Sequence, residues 1–96
     1  MRVTLQYFED CPNWRIAEAR LREALVEVGH PDHAIDHQRV ESAEEAERVG
    51  FGGSPTILID GIDPFADPAG PAGYACRVYS DDAAPTVAQL RQALVR

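Results

Sequence analysis

The sequence predicts a single α/β domain with the element order βαβαββα, a four-stranded mixed sheet with helices on both faces. Three observations carry that expectation. A strand-like stretch at residues 3–8 runs directly into a long amphipathic segment. A continuous apolar run, Thr56-Ile57-Leu58-Ile59, follows Pro55, and a capped amphipathic segment closes the chain. Ninety-six residues suffice for one hydrophobic core and are too few for two.

Residues 3–8, Val-Thr-Leu-Gln-Tyr-Phe, alternate in polarity and are rich in strand formers. Glu9-Asp10-Cys11-Pro12 breaks the pattern, and Pro12 suits a first helical position, where its missing N–H is not needed. Trp14, Ala17, Leu21, Leu25 and Val28 then recur at helical spacing until Gly29 ends the run. Residues 34–40 form a half-polar strand suited to a sheet edge. Ser42 with Glu45 is a capping box for a short helix reaching about Val49. After the glycines at 50, 52 and 53 comes the apolar strand 56–59, closed by the turn signal Asp60-Gly61. Prolines and glycines make 62–73 a loop, and 74–79, Tyr-Ala-Cys-Arg-Val-Tyr, reads as the last strand. Thr86 with Gln89 caps a final helix striped by Val87, Leu90 and Leu94. The first two strands, joined by a helix, are expected to be parallel, and the last two antiparallel.

A formal charge of −7 disfavours nucleic acid and anionic lipid as partners, since both need a basic surface. No apolar run approaches the roughly 20 residues of a membrane span. The chain passes from Met1-Arg2 straight into a strand without a signal-peptide core, so a cytoplasmic location is expected. Two cysteines, Cys11 and Cys76, are too few for a disulfide scaffold.

Cys11 stands where the first strand turns into the first helix. Helix N–H groups and the positive end of the helix dipole stabilise a thiolate there, which favours nucleophilic chemistry. Glu9 and Asp10 oppose that field, and Arg15 partly offsets them. The plainer alternative is a buried, inert thiol. Trp14 either walls the thiol or is the first core-facing residue of the helix. On spacing alone, Pro55 is an ordinary trans proline opening a strand.

Cys11-Pro12-Asn13-Trp14 after a strand, and Gly53-Ser54-Pro55-Thr56 before a buried one, resemble the thioredoxin-like superfamily. The resemblance implies that Cys11 is the attacking cysteine. It also implies that Pro55 is a cis-proline whose loop, with Ser54, faces the active-site turn and pairs with substrate backbone, beside Pro12 and Trp14. Trp14 stands where dithiol members carry their second cysteine, which excludes a Cys-x-x-Cys reductase. If 56–60 and 75–79 pair with their ends aligned, Cys76 faces Ile59. That is on the order of 13 Å from Pro55 at about 3.3 Å per residue, whereas a disulfide needs Cα atoms within roughly 7 Å. On that register Cys76 is structural; a shift or bulge brings it towards Cys11.

The chain is also similar to small bacterial thioredoxin-like proteins with Cys-Pro-x-Trp early and Cys-Arg-x-Tyr late, here Cys76-Arg77-Val78-Tyr79. Some of these are labelled alkylmercury lyase-like, and such lyases cleave carbon–mercury bonds with two cysteines and an aspartate. The pair here would be Cys11 and Cys76, with Asp10 the adjacent acid and no Asp at position 14. His30, His33 and His37 lie in a polar loop and strand rather than on one helix face, so they read as solvated and no metal site is expected.

The expected function is thiol-redox chemistry. Cys11 would attack a disulfide, peroxide or thiol conjugate on a protein or small molecule, with Cys76, glutathione or a partner thiol resolving the product and no cofactor needed. Two other classes stay open: a non-catalytic binding module using the groove beside Pro55, and capture of a soft metal or organomercurial by the two thiols.

Overall fold

The computed structural model describes residues 1–66, 77, 79 and 82–95. Their elements are β1 (Val3–Tyr7), α1 (Asn13–Glu27), β2 (Ile35–Arg39), α2 (Ala43–Val49), β3 (Thr56–Ile59) and α3 (Val87–Leu94). β1 is the central strand of the order β2-β1-β3. It runs parallel to β2, with Val3 opposite Ile35 and Tyr7 opposite Arg39, and antiparallel to β3, with Val3 opposite Ile59.

Among the described residues the sheet therefore has three strands where four were expected. The backbone at the end of the predicted last strand is engaged elsewhere. The Arg77 amide donates to the carbonyl of Ser54, ahead of β3, at 2.8 Å. Tyr79 and Asp82 donate to each other's carbonyls at 2.8 and 2.9 Å, so both main-chain groups of Tyr79 serve a local turn. The rest of the stretch expected at 74–79 lies outside the described residues.

The main core lies on one face of the sheet. Val3 and Leu5 of β1, Ile35 of β2 and Ile57 of β3 meet Ala17, Leu21, Ala24 and Leu25 of α1 and Leu90 and Leu94 of α3. Each fully buried Leu contributes about 1.5–3 kcal/mol of transfer free energy. α1 packs against both β1 and α3, so the two longer helices share this face. Helices on both faces were expected, and α2 does not supply the second layer. It has seven residues, mostly Glu and Arg, and buries only Ala46. The opposite face carries Thr4 and Gln6 beside Asp36 and Gln38, where Gln6 Nε2 donates to Gln38 Oε1 at 2.7 Å. An open groove of about 390 Å³ runs over Thr4, Asp36, Gln38 and Leu58.

Local signals act as their chemistry dictates. The Ser42 hydroxyl accepts from the Glu45 amide at 3.1 Å. Thr86 and Gln89 form a reciprocal capping box. Asp60 and Gly61 both take positive φ, 54° and 81°, the geometry of a two-residue type I′ hairpin joining Ile59 to Ile62. Two residues after Ile62 stands Pro64, which has no N–H to donate to a ladder.

Candidate functional site

Pro12 is the N-cap of α1 and makes no side-chain cap, so Cys11 stands one residue outside the helix. Its amide donates to the Phe8 carbonyl at 3.2 Å, a turn that swings the sulfur inward. Cys11 is 1% exposed, enclosed with Phe8, Val40, Ala46 and Phe51 in a second apolar cluster. It carries no free thiol: it is held in a disulfide. The only other cysteine of the sequence, Cys76, lies outside the described residues.

Ser54 and Pro55 lie against this sulfur. The Ser54–Pro55 peptide bond is cis, and both residues are fully buried. Cys11 Sγ is 3.6 Å from the Ser54 carbonyl oxygen, within reach of the S–H that a reduced Cys11 would carry. Ser54 Oγ accepts from the Phe8 amide at 3.3 Å, tying this loop to the end of β1. The same Ser54 carbonyl accepts from the Arg77 amide. One oxygen therefore faces both the sulfur of Cys11 and the backbone next to Cys76. This overturns the aligned register expected from the sequence, in which residue 76 faced Ile59, because residue 77 sits at Ser54 instead.

Arg77 and Tyr79 close the site from the other side. Arg77 Nη1 is 2.6 Å from Asp63 Oδ2, with side chains only 12% and 17% exposed. The guanidinium also donates to the Phe65 carbonyl and stands 4.5 Å from the centre of the Tyr79 ring. The Tyr79 hydroxyl donates to the Pro55 carbonyl. Burial pushes the Tyr79 phenol well above its ordinary range, against the pull of Arg77 and with the Asp63 charge adding to the rise. Beyond Tyr79, Asp82 meets Arg20 of α1 at 3.1 Å. The Ala83 amide and then Arg20 hold the Asp82 carboxyl below its usual value.

The other predicted residues divide. Pro12 is exposed beside the site. Trp14 packs on the main core, its ring 4.5 Å from that of Tyr7 and beneath the Arg15 guanidinium. Its Nε1 is buried without a hydrogen-bond partner. Arg15 also lies 3.9 Å from Glu9, so opposite charges flanking Cys11 meet one another at the surface. The histidines do not converge on one point: His37 meets Glu18 at 2.6 Å, while His33 meets the carbonyls of Met1 and Ala34 and the edge of the His30 ring. Among the described residues no cluster of three or more His, Cys, Asp or Glu side chains could hold a metal ion. Within the same residues no helix is long and apolar enough to cross a membrane.

Asp63 was not a candidate on sequence grounds. Its signal was the Asp63-Pro64 pair, a turn initiator within the supposed loop. Asp63 Oδ1 accepts from the Phe65 amide at 2.9 Å, and that local turn aims the other oxygen at Arg77. No protein-family model, curated protein or solved structure matches the chain.

Proposed function

We propose that this protein is a cytoplasmic thiol–disulfide redox protein of thioredoxin-like type whose working couple is Cys11 and Cys76. The observation that carries the reading is the disulfide at Cys11, set against the Ser54 carbonyl that also receives the Arg77 amide. The partner is a thiol or disulfide on a small molecule or protein. A partner thiolate attacks one sulfur of the couple, the S–S bond breaks, and the second cysteine departs as a thiolate that takes up a proton. A second partner thiolate then attacks the first partner's sulfur in the mixed disulfide, and the remaining protein cysteine departs as a thiolate that takes up the second proton. Two partner thiols leave as one disulfide, and the protein gains two electrons and two protons as a dithiol.

Peptide mapping without reductant, followed by equilibration in glutathione buffers, tests this. A Cys11–Cys76 linkage with a potential between about −120 and −270 mV, the range of working dithiol proteins, is the expected result. A potential below about −300 mV marks a structural bond and overturns the reading, as do two free thiols that never couple. Either outcome would leave the non-catalytic binding module as the reading of the fold.

A further inference from the structure

We infer that Arg77 is the positioning residue of this redox couple, holding the Cys76 end of the chain against Ser54 whether or not the disulfide is formed. This inference rests on the Cys11–Cys76 reading above.

Arg77 is fixed through both its backbone and its side chain. Its amide is on the Ser54 carbonyl, the oxygen 3.6 Å from Cys11 Sγ. Its guanidinium is held by Asp63, by the Phe65 carbonyl and, at 3.4 Å, by Thr56 Oγ1. The space around it is filled: a Cβ placed on Gly52 would come within 3.3 Å of Nη1. Tyr79 adds a second tie, from its hydroxyl to Pro55. None of these contacts uses sulfur, so none depends on the disulfide.

The consequence is thermodynamic. Closing a disulfide across most of a chain costs loop entropy unless its ends are already held together. Because Cys76 is bonded to Arg77, ordering Arg77 beside Ser54 in the dithiol form raises the effective concentration of one thiol at the other. The reaction is the exchange of one glutathione disulfide for two glutathione thiols. The Cys11–Cys76 bond forms, the glutathione S–S bond breaks, and the two protein thiol protons pass to glutathione. Arg77 acts on its equilibrium constant without touching the reacting atoms. An Arg is suited to this because its rigid planar fork spreads donors over separated acceptors in fixed directions, whereas a Lys offers a compact point charge.

The test compares that equilibrium constant in the full chain for the unaltered protein, Arg77→Met, Arg77→Lys, Asp63→Asn and the control Arg2→Met. Arg2 also pairs with an aspartate, Asp36, but in an exposed position away from Cys11. Arg77→Met is expected to lower the constant about tenfold, a shift of about 30 mV for a two-electron couple. Arg77→Lys and Asp63→Asn should shift it less in the same direction, and Arg2→Met should leave it unchanged. The two conservative variants carry the test if Arg77→Met does not fold. A merely structural Arg77 would lower the melting temperature of both redox forms equally and leave the constant unmoved, which overturns the inference. If mapping finds no Cys11–Cys76 bond, the functional reading falls and this inference falls with it. If the bond forms and the constant is unmoved, only the role of Arg77 falls.

Discussion

The two apolar clusters adjoin the same central strand but are assembled differently. The main core is aliphatic, and nearly all its residues are face positions of strands and helices: Val3 and Leu5, Leu21 and Leu25, Leu90 and Leu94. The second cluster is drawn from the ends of elements. Phe8 follows β1, Cys11 precedes α1, Val40 follows β2 and Phe51 lies just beyond α2, with only Ala46 inside an element. Periodic burial builds a stable platform, whereas the chain's entries and exits place the sulfur. The polar contacts divide less sharply: Ser54 ties to Phe8 and Cys11 of the second cluster, while the carbonyls of Phe65 and Ala84, which belong with the main core, accept from Arg77 and Arg20.

The largest expected effects break this comparison directly. Leu21→Ala should cost about 2–5 kcal/mol in urea unfolding, and Phe51→Ala about 3–5 kcal/mol, since both side chains are fully buried. The division of labour requires that only Phe51→Ala also change the glutathione equilibrium. Equal shifts from both would show that the clusters act as one.

Tyr79→Phe comes next, at about 1–3 kcal/mol, because it leaves the buried Pro55 carbonyl without its donor. It also carries a pH signature. With the folded-state value raised above the ordinary 10.0, the folded protein keeps a proton that the unfolded chain releases. The contribution is therefore complete below about pH 10 and declines as pH rises towards the higher folded-state value. Stability measured from pH 9 upward should fall in the unaltered protein with a slope that Tyr79→Phe reduces.

The smallest effect belongs to the platform. Thr86→Ala removes one half of the α3 capping box and should cost about 1 kcal/mol in thermal melting. The Cys11 couple should be untouched, because α3 packs on the main core alone.

The same division decides what could be read in the sequence. α1, α3, β1, the Ser42 cap and the Thr86–Gln89 capping box follow from spacings within a few residues, and the structure places them within a residue or two of expectation, although Glu45 does not return the bond that would complete a box at Ser42. The residues at 77–79 carry strand-forming side chains, but where their backbone groups go is a tertiary matter. Nothing local could announce that the Arg77 amide finds Ser54. Counting a fourth strand followed from propensity, and so did the register that set Cys76 far from Pro55. Trp14 shows the converse: its helical spacing to Ala17 and Leu21 placed it on the core, and that is where it packs.

β2 has a consequence of another kind. It is the outer strand beside β1, and the four residues after Ile35, Asp36-His37-Gln38-Arg39, are all exposed. An outer strand offers open amide and carbonyl groups to any extended chain that meets it, and charged side chains discourage such strand-to-strand adhesion. Among the described residues the sheet ends at β2, where Asp36 and Arg39 set charge along the edge and guard it against such adhesion.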